Sequence, residues 1–377
     1  MRYVYRLRPG AVAERALTEE WHRCRWLWNE AVHQQKSGRK PTFCKLSKLL
    51  TETRTRNAWL REGSQVAQQQ MLRTYAQALA HSFEVTDRGR PKIKHRKKAL
   101  PSLEYTTRGF SLRDGRLILP KGVSIPVVWS RGLPCEPKSV RVYRDNLGHW
   151  YASFTVTREL APAQTAAGSI GIDWGVRVPA TTTNPVFDFP HLGHRSRCAA
   201  QVARAQRKMA RRARKHGRKL HGPQSRGYRR AERQNAKAQK KAARQNQHDG
   251  RQWARRVVAS HGLIAVEDFR PKFLARSTMA RKAADNTVGT LKRTLVEYGT
   301  RAGRKVVLVQ PAYTTMTCSE CGERQARLGL AERTFICAGC GYIADRDLNA
   351  ARVILAVAER GHASAEDVSH WRPPSGG

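Results

Sequence analysis

The chain has 377 residues, 40% of them hydrophobic, which allows one large folded domain or two to three small ones and excludes a disordered polycation. Its 71 Lys and Arg stand against 29 Asp and Glu, a formal net charge of +42. A small-molecule enzyme has no use for such self-repulsion, whereas a protein that works against a polyanion does, so nucleic acid is the expected partner.

The basic residues are spread along the whole chain rather than gathered on one amphipathic helix, which argues against a membrane surface. MRYVYRLRPG lacks the apolar core of a signal peptide, and no run approaches the ~20 apolar residues that span a bilayer. Of eight cysteines, four form CxxC pairs, while Cys24, Cys44, Cys135 and Cys198 are scattered. That usage suits a reducing compartment, where paired thiols bind metal rather than cross-link. A soluble, intracellular protein is expected.

Residues 1–10 alternate like a strand and stop at Pro9-Gly10. In AERALTEEWHRCRWLWNEAVHQQ, the positions Leu17, Trp21, Cys24, Trp28 and Ala31 fall on one face of a helix. SQVAQQQMLRTYAQALAHSFE reads as a second helix, N-capped by Ser64, with Met71, Tyr75, Ala78 and Ser82 on one side. DRGRPKIKHRKKA follows as a loop too charged to pack. Period two then takes over. LEYTTRGFSLRDGRLILP carries a hairpin turn at Asp114-Gly115, and SVRVYRDNLGHWYASFTV repeats the pattern around Asp145 to Gly148. Residues 100–157 are expected to form an antiparallel β unit, closed into a small barrel by the N-terminal strand.

Beyond the small-residue linker APAQTAAG, the runs SIGIDWGVRVPATTT, GLIAVEDF and KVVLVQ have the texture of buried strands. Residues 201–260 carry twenty Lys and Arg against only Glu232 and Asp249, with high helix propensity in QVARAQRKMARRARK. A run so one-sided repels itself unless phosphates neutralise it. Residues 274–303 read as a further helix, and the tail after 359 as loosely ordered.

Cys318, Cys321, Cys337 and Cys340 have the C-x2-C…C-x2-C spacing of a zinc ribbon, with Gly322 and Gly341 suited to the tight turns of each knuckle. Four thiolates leave no open position, so this zinc is structural, and its binding supplies folding free energy to a segment poor in apolar residues. HLGHRSRC offers His191, His194 and Cys198, a weak candidate for a second metal.

In so basic a chain, an acid inside an apolar strand is costly. Asp173 in SIGIDWG and Glu267 in LIAVEDF are two such cases, and the doublet Asp345 and Asp347 opens an alanine-rich apolar run. If these segments pack together, the carboxylates converge, and like charges ~4 Å apart repel by roughly 4 kcal/mol at an effective dielectric near 20. Two Mg²⁺ ions would supply the counter-charge, in the manner of sites that hydrolyse phosphodiesters. Taken singly, Asp173 could end a strand, Asp345 or Asp347 could cap a helix, and Glu267 could pair with an Arg.

The order GIDWG, VED, PAYTTMTCSECG…FICAGCGYIADRDLNAARVIL resembles the TnpB (OrfB) proteins of bacterial insertion sequences. VYRLRPG and KSVRVYRDNLGHWYASFTV are similar to the opening strand and the β segment of that family, so the resemblance spans nearly the whole chain. Its most specific part is the CxxCG…CxxCG ending with D-x-N-A-A. The resemblance implies an α/β multi-domain fold: a RuvC-like (RNase H fold) nuclease core with an inserted zinc ribbon, preceded by a β-barrel wedge domain carrying a helical insertion. The wedge would take 1–10 and 100–160, the helical recognition domain 11–99, the nuclease 166–312 and 344–358, the ribbon 313–343, and a flexible tail 359–377.

The implied activity is RNA-guided, Mg²⁺-dependent DNA cleavage, ancestral in type to type V CRISPR effectors. The motif register selects Asp173, Glu267 and Asp347 as the catalytic, Mg²⁺-holding carboxylates, over Asp345 and Asp268. Implied partners are a guide RNA and a double-stranded DNA target, with no membrane, and the protein acting as a monomer with RNA in the cytoplasm at the nucleoid. Lys and Arg within 88–98 and 204–230 would contact nucleic-acid backbone, and the ribbon would hold the chain presenting Asp347 and help load single-stranded DNA. A compact type V CRISPR effector, a nuclease-inactive RNA-guided repressor and a strand-transfer transposase are the alternatives. Trp174 departs from the family pattern, which places an aliphatic residue after the first aspartate, and VPATTTNPVFDFPHLGH is less regular than the family leads one to expect.

Overall fold

Alternating apolar residues in the N-terminal decapeptide produce strand β1 (Arg2–Leu7), which buries Tyr5 and Leu7. The computed structural model describes residues 1–361 apart from 40, 86–87, 97, 158–165, 217–218, 221, 269–287, 327–328 and 330–331. The described chain divides into two compact units, Met1–Glu159 and Leu160–Gly377. No helix among the described residues is long and apolar enough to cross a membrane.

The first unit holds helices α1 (Ala11–Lys36), α2 (Phe43–Arg56), α3 (Ala58–Arg61) and α4 (Gln65–Glu84). Leu17, Trp21, Cys24, Trp28 and Ala31 are all buried along α1, and the Ser64 hydroxyl caps α4 by accepting from the Ala67 N–H. Its strands are β2 (Ser102–Thr106), β3 (Ser111–Arg113), β4 (Arg116–Leu119), β5 (Val123–Val128), β6 (Pro137–Arg144) and β7 (Trp150–Val156). Asp114 and Gly115 both take the left-handed conformation between β3 and β4, as a two-residue hairpin turn requires.

The strands form one seven-stranded ladder in the order β2-β6-β7-β1-β5-β4-β3, with β1 at its centre. The ladder ends at β2 and β3, so it is an open half-barrel rather than the closed barrel the sequence suggests. Helices fill the space a closing pair would cover: Leu17, Trp21 and Tyr75 share one core with Leu103, Ile125 and Phe154.

The charged stretch 88–98 was expected to stay free of the core, and it does not. Ile93 packs against the core, the Trp28 indole donates to the Lys92 carbonyl (2.9 Å), and Asn29 accepts from the Lys94 N–H (2.8 Å). The Lys94 ammonium sits 3.8 Å from the centroid of the Trp28 ring. Backbone groups are satisfied by α1, and the aliphatic stems can cover apolar surface while their charged ends stay outside.

The second unit begins with β8 (Gly168–Asp173) and β9 (Thr181–Thr182), then α5 (His194–Arg212), a short hairpin β10 (Lys215–His216) and β11 (Lys219–Leu220), and α6 (Arg226–Ser260). β12 (His261–Glu267), α7 (Val288–Arg301), β13 (Lys305–Val309), β14 (Thr334–Ile336), β15 (Ile343–Asp345) and α8 (Arg346–Glu359) complete it. β13, β12 and β8 run parallel and β9 pairs antiparallel with β8, in the order β13-β12-β8-β9.

Period two sorts the residues of these strands between two faces. Ile170, Ile172, Ile264 and Val266 pack with Trp253 and Val257 of α6 and Leu291 and Leu295 of α7. Ala265 and Val309 pack with Val353, Ile354 and Val357 of α8 on the other face. The same alternation assigns Gly171, Asp173 and Glu267 to the α8 face. A Cβ on Gly171 would lie 2.0 Å from the Ala351 carbonyl oxygen, so α8 reaches β8 only because that residue is glycine. Of the helix expected over 274–303, Val288–Arg301 is helical and 274–287 lies outside the described residues. The tail beyond 361 also lies outside them.

Candidate active site and metal centre

The ladder between β8 and β12 ends at the pair Ile172 and Val266, and the next residue on each strand is a carboxylate. Asp173 is 4% exposed and Glu267 6%. Burial pushes the Asp173 carboxyl well above the ordinary range, and the charges of Glu267 and Asp347 push in the same direction. Burial likewise raises Glu267 to about 7, opposed by the Trp174 backbone amide and the Lys292 ammonium. These are acids held where only a counter-charge allows full ionisation.

The third carboxylate comes from α8. Asp345 accepts from the N–H groups of Asp347 (2.9 Å) and Leu348 (3.1 Å) and is the helix cap. Asp347, one step into the helix, faces the cluster: its Oδ2 lies 3.8 Å from the position of a Cβ on Gly175. Arg346 (3.3 Å) and Arg333 (3.7 Å) pair with its two oxygens. Of the Glu267-Asp268 doublet, Asp268 is taken by Lys292, which leaves Glu267 for the cluster. Asp345 and Asp268 are thus each engaged by other groups, the α8 N-terminus and Lys292.

Trp174 follows Asp173 and turns inward. Its indole N–H donates to the Glu267 carbonyl at 3.1 Å, and its ring meets Trp253 edge-on at 6.1 Å. The His-rich stretch after it supplies no metal set: the buried His194 bonds Asp249 (2.6 Å) and Arg197 (2.6 Å), tying α5 to α6.

The four cysteines gather with all Sγ atoms within 4.8 Å of one another, the set that does so among the described residues. Cys321 and Cys337 are 3.4 Å apart and Cys318 and Cys340 3.8 Å. A tetrahedron with bonds of ~2.3 Å has edges of about 3.8 Å, so the spacing fits zinc. Gly322 and Gly341 take φ of 76° and 74°, closing each knuckle onto the carbonyl of its first cysteine. β14 and β15 pair below it and lead directly into α8.

The coupling between knuckle and helix runs through Asn349, which is fully buried. Its Nδ2 donates to the Thr317 carbonyl (2.8 Å), and its Oδ1 accepts from the Ser319 N–H (2.9 Å). In the sequence Asn349 stands out only as part of the D-x-N-A-A motif. A polar residue on the buried face of an apolar helix was the available signal.

The carboxylates are less tightly gathered than the thiols, with guanidinium groups facing Asp347. Glu267 Oε2 is buried and has no hydrogen-bond partner. An unpaired buried carboxyl oxygen, beside a second buried carboxyl, is a donor of the kind a hard cation takes. Carboxyl oxygens are the donor type Mg²⁺ takes, but among the described residues the four cysteines, and not these three acids, bring their ligand atoms within 4.8 Å of one another.

Residues 289–354, from α7 into α8, match the family described as Cas12f1-like, TNB domain. The chain is 29% identical to a putative RNA-guided DNA endonuclease of Streptomyces pristinaespiralis, over 99% of this chain and 93% of that one. It is 40% identical to TnpB-like protein L79 of Acanthamoeba polyphaga mimivirus over 22% of this chain and 15% of the other. Its fold resembles that of Cas12f1 in a cryo-EM complex with single guide RNA and target DNA. The TM-score is 0.55 at 16% identity, covering 89% of this chain and 81% of that one.

Proposed function

Because the chain is a TnpB-family protein related to the type V effectors, we propose that it is an RNA-guided DNA endonuclease whose phosphodiester-hydrolysing site is built by Asp173, Glu267 and Asp347. The observation that carries this reading is the pair of buried acids at the ends of adjacent parallel strands, with Glu267 Oε2 unpartnered. A protein that only bound nucleic acid would gain nothing from such a costly arrangement.

In this reading the second unit is a RuvC-like core with an inserted zinc ribbon, and the half-barrel with its helices is the wedge and recognition part. Asp173 and Glu267, fixed by sheet register, and Asp347, fixed by the first turn of α8, would hold Mg²⁺. When bound, such ions stabilise charge on the scissile phosphate and make a water acidic enough to attack it. Lys292 keeps Asp268 out of the pocket, and Arg333 and Arg346 balance Asp347. The ribbon positions α8, through Asn349, and the strand leading into it. Guide pairing would read the target sequence while the protein reads an adjacent short DNA motif and backbone shape.

The test is to purify the protein from cells, sequence the RNA that accompanies it, and challenge the complex with a DNA library matching that RNA in Mg²⁺. Cleavage confined to matched targets is expected. Matched binding without cleavage would favour an RNA-guided repressor, and joining of DNA ends a transposase.

A further inference from the structure

We propose that Trp174 is a positioning residue: its indole N–H holds the Glu267 backbone where β8 and β12 part, and so fixes the spacing of the Asp173 and Glu267 carboxylates. This rests on the reading of those carboxylates as a divalent-cation site.

Parallel ladder pairing between the two strands stops at Ile172 and Val266, one residue short of both acids. On its far side Glu267 is still paired with Val309 of β13, but toward β8 the sheet offers its carbonyl no partner. The Trp174 indole supplies one, at 3.1 Å. The 267–268 peptide is held on its other side by the bond from the Asp268 N–H to the Val309 carbonyl (2.6 Å). Without the indole its buried carbonyl is left unpaired and the peptide tilts about that one bond, shifting the carboxylate. The indole is itself held: Trp174 is 7% exposed and packs edge-on against Trp253, whose own N–H is spent on the Phe187 carbonyl at 2.6 Å. An aliphatic residue at this position could fill the volume but could not donate.

The experiment uses the guide-loaded protein and Mn²⁺ as the probe, titrated by calorimetry. Trp174→Phe keeps the packing and removes the donor. Replacement of Trp174 by 3-benzothienylalanine, which has sulfur where the indole has N–H, keeps the shape even more closely and serves if the Phe variant folds poorly. Each should bind Mn²⁺ about tenfold more weakly or worse, as loss of a supporting hydrogen bond does, with cleavage recovering at high Mn²⁺. Trp129→Phe, which removes an indole N–H bonded to the Gly115 carbonyl in the first unit, should keep wild-type Mn²⁺ affinity. Affinity within about twofold of wild type in both Trp174 variants, or equal loss in Trp129→Phe, would overturn the proposal. If instead Asp173→Ala binds Mn²⁺ like the wild type, it is the carboxylate site that fails.

Discussion

The Asn349 side chain bonds Thr317 and Ser319, the residues on either side of Cys318, and so locks the first knuckle of the cysteine cluster to the helix that carries Asp347. The cysteine cluster and the start of α8, with Asp347, are thereby joined by side-chain hydrogen bonds. This gives the cysteine knuckle a structural tie to the helix whose first turn carries Asp347.

Asn349→Ala should leave the Thr317 carbonyl and Ser319 N–H buried and unpaired. We expect destabilisation of about 2–4 kcal/mol in denaturant melts, with zinc retained. A midpoint indistinguishable from wild type would show that the ribbon and helix do not depend on this residue.

Cys337→Ser removes a thiolate whose Sγ lies 3.4 Å from that of Cys321. Zinc content measured by atomic emission should fall from one equivalent to near zero, and the melting temperature should drop with it. Because Asp347 follows the ribbon directly, cleavage should fall as well. Unchanged metal content would mean the cysteines are merely neighbours.

Glu267 supplies a pH dependence with a definite sign. Its carboxyl is raised by burial from 4.5 to about 7 in the folded protein. The folded state therefore keeps a proton that the unfolded state releases, and stability from this group is full below 4.5 and lost as pH rises through about 7. Asp173, also raised, acts in the same direction. Without added divalent cation, the melting temperature of wild type relative to Glu267→Gln should decline across that window, and Mg²⁺ should reverse the decline at pH 8. A constant difference from pH 4 to pH 8 would contradict the burial of this acid.

Association with nucleic acid should be strongly salt-dependent, given a net charge of +42. Counterion release predicts a loss of roughly 10³-fold or more in affinity between about 50 and 200 mM salt. A flat profile in filter binding would argue against phosphate contacts.

Much of this architecture was legible in the sequence where a physical signal was local. The α1 stripe, the Ser64 cap, the Asp114-Gly115 turn and the CxxC spacing each depend on residues a few positions apart. The α4 face expected from Met71, Tyr75, Ala78 and Ser82 is shifted: Met71 and Tyr75 are buried, with Leu72 and Leu79 rather than Ala78 and Ser82. The polar segment 43–61 gave no such stripe, because only Leu46, Leu50 and Leu60 are buried in α2 and α3. Side-chain caps from Thr42 and Asn57 hold those helices instead. The strap at 88–98 misled because its charges hid one packing residue, Ile93, and a backbone bonded to α1. At the site, the acids announced themselves as charges inside apolar strands. Asp345 is engaged as the α8 cap, and Asp268, next to the Glu267 that strand alternation turns to the α8 face, is paired with Lys292. The Trp174 bond spans 93 residues of sequence and left no local trace.

The most direct test measures cutting and binding of a guide-matched duplex in parallel, for wild type and Asp173→Ala, in Mg²⁺. The account predicts that the variant binds the duplex with near wild-type affinity while its cleavage falls by roughly three orders of magnitude or more. Cleavage by Asp173→Ala at the wild-type rate would contradict it.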